Sequence, residues 1–114
     1  MEISAEQLDG SITRIKLAGR LDIEGTSAVE TRLAGYMAVN KGTFILDLAG
    51  VSFLASIGIR AILLNAKAVQ RRGGSLVLLD PAPEVAKVLS LAGIDTLIPV
   101  CSGLDAARAA VISS

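Results

Sequence analysis

Apolar and polar positions along this chain follow two periods, and the places where the period changes mark its elements. Near the N-terminus the period is two. In residues 11–18, Ile15 and Leu17 alternate with Arg14 and Lys16, the pattern of a strand with one wet face. Residues 2–8 read as a preceding strand, and Asp9-Gly10 is a tight-turn signal joining the pair into a hairpin. Gly19-Arg20-Leu21-Asp22 reads as a loop. The period then lengthens to that of a helix. Val29, Leu33, Tyr36 and Met37 form one apolar stripe, on a helix expected to begin between Gly25 and Ser27. Ser27 with Glu30 would form its capping box, and Gly42 follows its end.

Phe44-Ile45-Leu46-Asp47-Leu48 is almost wholly apolar, as expected of a central strand covered on both faces. Residues 56–72 read as a second helix closed by Gly73-Gly74, and residues 75–79 as another buried strand. Pro81 and Pro83 lead into a third helix with Glu84 in its first turn. Val85, Val88, Leu89 and Ala92 share one of its faces, and Gly93 stops it. A short strand near 97–100 and a last helix over about 103–111, capped by Ser102 with Asp105, complete the chain. The order β-β-α-β-α-β-α-β-α predicts one α/β domain over residues 1–114. Its sheet is mixed and mostly parallel, with right-handed crossovers and an antiparallel N-terminal hairpin.

The second helix is apolar on two sides. At about 100° per residue, Ile59, Ile62, Leu63, Ala66 and Val69 cluster on a face that must dock on the sheet. Ile57, Ala61, Leu64 and Ala68 lie opposite, bordered by Arg60, Asn65, Arg71 and Arg72. A helix outside a small sheet needs one apolar stripe, so the second is either covered by another element of the chain or left for a partner. Charged borders around an apolar centre suit a reversible interface.

Composition narrows the chemistry. Lys and Arg number 11, as do Asp and Glu, and only three residues are aromatic, so neither a basic field nor a base-stacking platform points to nucleic acid. Histidine is absent, which rules out Ser-His-Asp and Cys-His relays and any His-containing metal site. Cys101 is the only thiol and reads as a small apolar residue near a strand end. No catalytic residue, metal or cofactor is expected. The apolar window 44–64 is interrupted by Asp47, Ser52, Ser56 and Arg60, so a membrane-spanning helix is rejected. Met1-Glu2-Ile3-Ser4-Ala5-Glu6 lacks the layout of a signal peptide, and a cytoplasmic location is expected.

Ser56 stands at the head of the second helix, and two readings remain open for it. As a cap it would accept a hydrogen bond from a nearby amide. As a phosphate acceptor it would hold the added charge against the helix's positive end, at the lip of the patch headed by Ile57, with space left by Gly58. Strand exits on one side of an α/β sheet converge, which brings Arg20 and Asp22 towards it.

The runs Gly19-Arg20-Leu21-Asp22, Phe44-Ile45-Leu46-Asp47-Leu48 and Val51-Ser52-Phe53-Leu54-Ala55-Ser56-Ile57-Gly58-Ile59 together resemble the STAS domain of bacterial anti-sigma factor antagonists. Gly73-Gly74-Ser75-Leu76-Val77-Leu78-Leu79 and Val88-Leu89-Ser90-Leu91-Ala92-Gly93-Ile94 fit the same family. The resemblance implies binding to an anti-sigma factor that is also a serine kinase. That kinase uses ATP to phosphorylate the antagonist and switch it off, and a phosphatase reverses the mark. The family's acceptor maps to Ser56, its glycine to Gly58 and its acidic loop residue to Asp22. The implied partner surface is Asp22, Ser56, Ile57, Gly58, Arg60, Ala61 and Leu64. Two positions depart from the family segment Asp-Ser-Ser/Thr-Gly: Ala55 replaces the acid before the acceptor, and Ile57 follows it.

Two other readings stay in view. One is a non-phosphorylated STAS scaffold subunit of a lipid-transport or stress-signalling complex, which Ala55 favours. The other is a small nucleotide-binding domain, although GxxxxGK and GxGxxG are both missing. A homodimer through the second apolar stripe is a further expectation.

Overall fold

The computed structural model describes residues 1–113, and its centre is the apolar run at 44–48. That run lies within strand β3 (Thr43–Leu54), which extends six residues beyond it. Strands β1 (Glu2–Gln7), β2 (Ile12–Leu21), β4 (Ser75–Leu79) and β5 (Val100–Cys101) complete a sheet of order β1-β2-β3-β4-β5. β1 pairs with β2 antiparallel, and every other pairing is parallel. The predicted mixed sheet with an antiparallel hairpin is therefore present.

Helices α1 (Ile23–Tyr36), α2 (Ser56–Arg71) and α3 (Pro83–Leu91) bridge consecutive parallel strands, and α4 (Leu104–Ser113) closes the chain. Because the strand order never reverses, crossovers of one hand carry α1, α2 and α3 to the same face. Strand alternation then divides the core in two. Phe44, Leu46, Leu48, Leu76 and Leu78 point towards those three helices and meet Val29, Leu33, Ile62, Val69, Val85 and Leu89. Ile12, Ile45, Val77 and Leu79 point the other way and are covered by Ala107 and Val111 of α4.

Several boundaries differ from the sequence reading, each for a local reason. Residues 19–21 are strand rather than loop, since Gly19 pairs with Val51, Arg20 with Phe53 and Leu21 with Leu54. Two register shifts disguise the alternation there, between Lys16 and Ala18 and between Gly19 and Arg20, where Gly19 has φ +116°. α1 begins at Ile23, with Asp22 as its cap, so Ser27 sits inside the helix and no Ser27–Glu30 box forms. Asp9-Gly10 opens a wider turn, Asp9–Ser11, with Gly10 and Ser11 both at positive φ. The expected strand at 97–100 is preceded by a 3₁₀ turn, Ile94–Thr96, and shrinks to Val100–Cys101. α4 starts after Gly103, whose amide is held by the Asp80 carboxylate at 2.8 Å, so the Ser102 cap is replaced by a contact from the end of β4. Ala92 falls just past the end of α3 and is exposed, whereas Val85 and Leu89 are buried as expected. Among the described residues, no helix is long and apolar enough to cross a membrane.

Asp47 is the exception within the buried strand. It shares the face of Ile45, at the margin that α4 leaves beside β2, and its side chain is 8% exposed. Arg14 reaches it from β2 with two hydrogen bonds, Nη2 at 2.7 Å and Nε at 3.1 Å, and the Ala49 amide donates to its other oxygen at 2.9 Å. A buried carboxylate is tolerated when all its lone pairs are used in this way. Removing it leaves a half-buried guanidinium and an amide without acceptors. Asp47→Ala should therefore lose roughly 2–3 kcal/mol in urea unfolding. Glu6→Ala, which removes only the exposed contact to Arg14 at 3.7 Å, should lose less than about 0.5 kcal/mol. Equal losses would show that the buried pair does not hold β2 to β3.

Candidate functional site

The candidate site is built where β2 and β3 end side by side. Leu21 pairs with Leu54, and the Ala55 amide donates to the Leu21 carbonyl at 3.0 Å. The next residues, Asp22 and Ser56, therefore open α1 and α2 from adjacent strand ends, as the expected convergence of loops requires. Arg20 joins them in an unforeseen way: its guanidinium lies over the Phe53 ring at 4.3 Å, while its Nε approaches Asp22 at 3.4 Å. The cation–π contact keeps Phe53, 40% exposed, from standing as a bare apolar residue at this rim.

Asp22 is more than an exposed loop acid. Its Oδ1 accepts from the Gly25 amide at 2.8 Å and caps α1. That backbone hydrogen bond is the main cause of its lowered pKa; desolvation opposes it, and Arg20 lowers it further. Gly25 has no room for a side chain because a Cβ would run into the Arg20 carbonyl. The turn is thus cut to fit Asp22.

Ser56 is the first residue of α2, and Ala55, not the serine, is the capping position. The cap reading fails on geometry: no side chain caps this helix, and the Ser56 hydroxyl has no hydrogen-bond partner among the described residues. The Ala55 carbonyl takes the Gly58 and Ile59 amides, which leaves those of Ser56 and Ile57 at the helix start without an acceptor among the described residues. Ser56 is exposed. No hydrogen bond among the described residues activates its hydroxyl as a nucleophile.

Gly58 has a different role from the one expected. It is buried, and a Cβ there would meet Leu54 Cδ1 at 2.8 Å, Leu21 Cβ at 2.9 Å and the Leu21 carbonyl at 3.0 Å. Its missing side chain lets the first turn of α2 lie against the ends of β2 and β3. It makes no space beside Ser56, and any part it has in binding is indirect.

Further along α2, Ile62, Ala66 and Val69 are buried against the sheet. Ile59 and Leu63 are half-buried against the same core. On the other side Ile57 and Ala61 are half-buried, Arg60 is exposed and Leu64 is 53% exposed. The second stripe is flanked by α1 but not covered by it. A groove runs between the two helices, lined by Glu30, Thr31 and Ala34 of α1 and by Ala61, Leu64 and Asn65 of α2. It continues to Ile57 and Arg60. The α1 wall was missed from sequence. Ala28, Thr31 and Ala34, small residues at helical spacing opposite Val29 and Leu33, were its only signal.

Cys101 is half-buried against the α4 side of the core, and burial pushes its thiol pKa up, so it is not a reactive thiolate.

Comparison with known proteins gives concordant results. The family model described as "Mlab, STAS domain" matches residues 4–99. A Bordetella bronchiseptica protein provisionally named anti-sigma factor antagonist BtrV is 29% identical over 110 residues, covering 96% of this chain and 94% of its own. The anti-sigma F factor antagonist of Lysinibacillus sphaericus is 27% identical over 97 residues, covering 82% of this chain and 81% of its own. The unphosphorylated form of the anti-sigma factor antagonist SpoIIAA superposes with a TM-score of 0.78 at 21% identity, over 99% of this chain and 98% of that one. The phosphorylated form of Bacillus SpoIIAA gives 0.70 at 20%, over 96% and 99%.

Two outcomes test this geometry. Asp22 has a lowered pKa in the folded chain, so its capping stabilisation is present at neutral pH, above the unfolded value. It is lost as pH falls through the folded value. The protection factor of the Gly25 amide, its exchange rate divided into the intrinsic rate at each pH, should fall on acidification in the wild type, whereas in Asp22→Ala it should be low already at neutral pH; pH-independent protection in both would contradict the cap. Gly58→Ala gains up to about 1 kcal/mol of helix propensity but overpacks Leu21 and Leu54, so thermal unfolding should show a net loss of roughly 1 kcal/mol. Net stabilisation would show that α2 is not held by this contact.

Proposed function

The chain belongs to the STAS domain family, and from that premise we propose that it is an anti-sigma factor antagonist, a binding module whose partner-facing surface is switched by phosphate on Ser56. The observation that carries this reading is the combination at the head of α2: an exposed, unpartnered hydroxyl beside the uncovered residues Ile57, Ala61 and Leu64. Relatives matched along most of their length bear the name anti-sigma factor antagonist, and a structural neighbour exists in phosphorylated and unphosphorylated forms. The partner is an anti-sigma factor with serine kinase activity, which brings its own ATP, and a phosphatase removes the mark.

The physics of the switch follows from position. The partner would press on the groove through Leu64, Ala61 and Ile57, with Asp22 and Arg60 on the rim. A phosphate adds nearly two negative charges at that rim. The helix start and the free Ser56 and Ile57 amides let the fold tolerate the charge. Burying it under a partner strips its water, so affinity falls.

A second reading has one observation in its favour. Ala55 is half-buried where the family's acceptor segment has an acid, so a non-phosphorylated STAS scaffold would keep the same surface without the switch.

Incubation with the kinase partner and ATP, followed by intact-mass measurement, should add one phosphoryl group to the wild type and none to Ser56→Ala. Ser56→Ala should bind the partner within about twofold of wild type, and Ser56→Asp should bind at least about tenfold more weakly. Equal binding by the two variants would refute the switch. Partner binding without any phosphoryl transfer would select the scaffold reading.

A further inference from the structure

The charge on α2 is distributed in a way the fold does not explain. Residues 56–72 contain Arg60, Lys67, Arg71 and Arg72, four of the chain's eleven basic residues, and no acidic residue. The chain as a whole is neutral, so the excess acid lies elsewhere. Arg72 is used structurally, donating to the Met37 carbonyl at 3.2 Å. Arg60, Lys67 and Arg71 are exposed and have no ion pair or hydrogen-bond partner among the described residues. Arg14 and Arg20, by contrast, form ion pairs. Glu30 lines the groove next to Arg60 without pairing to it.

At about 100° per residue the three unpaired cations fall within roughly 40° of one another. Lys67 and Arg71 follow Arg60 at roughly 10.5 and 16.5 Å along the axis. Leu64 stands beside this row, and Ser56 begins it one turn before Arg60. Like charges spaced i, i+4, as Lys67 and Arg71 are, destabilise an isolated helix slightly. The row therefore works against local stability, and it lies along the exposed outer face of α2, beside the groove with α1.

Resting on the reading of α2 as the partner face, we propose that the partner presents an acidic ridge, carboxylates spaced along a helix or strand, which Arg60, Lys67 and Arg71 read while Leu64 inserts beside it. This adds Lys67 and Arg71 to the recognition surface and extends it two turns beyond Leu64. It also gives the phosphate a second action: on Ser56 it adds negative charge at the head of the row and repels the partner's carboxylates. A protein ridge fits better than a lipid surface. A membrane-lying helix presents a broad face of large apolar residues, and here Leu64 is the one large exposed apolar side chain on α2.

The test uses the full chain and defined probes: a fluorescent helical peptide with glutamates spaced to match the row and one leucine, its glutamine twin, and phosphatidylserine and phosphatidylcholine vesicles. The glutamate peptide should bind at least about tenfold more tightly than its twin at low salt, and weaken as salt is raised. Lys67→Glu/Arg71→Glu should lose at least about tenfold of that binding with an unchanged circular dichroism spectrum. Lys67→Gln/Arg71→Gln should fall between. Indistinguishable peptides, no binding by either, an unaffected charge-reversed variant, or preference for phosphatidylserine vesicles over the glutamate peptide would each overturn the acidic ridge. The underlying function is separable. If charge reversal changes nothing while Ser56→Asp still loses the kinase, only the ridge fails. If the kinase does not bind wild type, the antagonist reading fails whatever the peptides do.

Discussion

The site depends on how closely the start of α2 approaches the paired ends of β2 and β3. The Ala55 amide bonded to the Leu21 carbonyl aligns the two strand exits, and Gly58 lets the helix settle onto Leu21 and Leu54. Everything functional is measured from that contact. Asp22 follows Leu21 directly and is consumed in capping α1; Ser56 follows Ala55 directly and is left with nothing to bond. Two adjacent strand ends thus produce opposite outcomes, one side chain locked and one free. The difference comes from where each helix begins relative to its polar residue. A cap residue bends back to its own amides, whereas the first helical residue points outward.

The molecule's two faces are finished differently. Three helices cover one face of the sheet, and α4 covers the β3–β5 part of the other together with the Ile12 end of β2. The uncovered part is polar, with Arg14, Lys16 and Asp47 on it, so exposure there costs little. On the helical face the unfinished surface is apolar and basic, along α2 and its groove with α1. An apolar helix flank bordered by unpaired cations is a poor ending for a free surface and a reasonable half of an interface.

The architecture was legible because each buried segment carries an unambiguous period. The all-apolar 44–48 and 75–79 runs and the stripes of α1, α2 and α3 leave few alternatives. The family resemblance, carried by ordered runs along nearly the whole chain, pointed to the same fold. Legibility failed where tertiary contacts override local signals. Bulges at Lys16/Ala18 and Gly19/Arg20 broke the alternation of β2, so its last three residues read as loop. Ser27 and Glu30 satisfied a capping pattern that Asp22, five residues before Ser27, pre-empted. Ser102 lost its expected role to Asp80, distant in sequence and adjacent only once β4 and β5 pair. At the site, the exposure of Ser56 and Leu64 followed from helix phase, but the α1 wall and the Arg20–Phe53 stack required knowing which elements are neighbours.

The central claim is that another protein docks on the head and outer flank of α2. Amide chemical-shift mapping of the isotopically labelled chain, titrated with the anti-sigma factor kinase proposed as its partner, addresses it most directly. The account predicts the largest shifts at Ser56, Ile57, Ala61 and Leu64, with smaller ones at Asp22 and along the facing residues of α1. Shifts centred on α4 or on the open β1–β2 face, with α2 undisturbed, would contradict it.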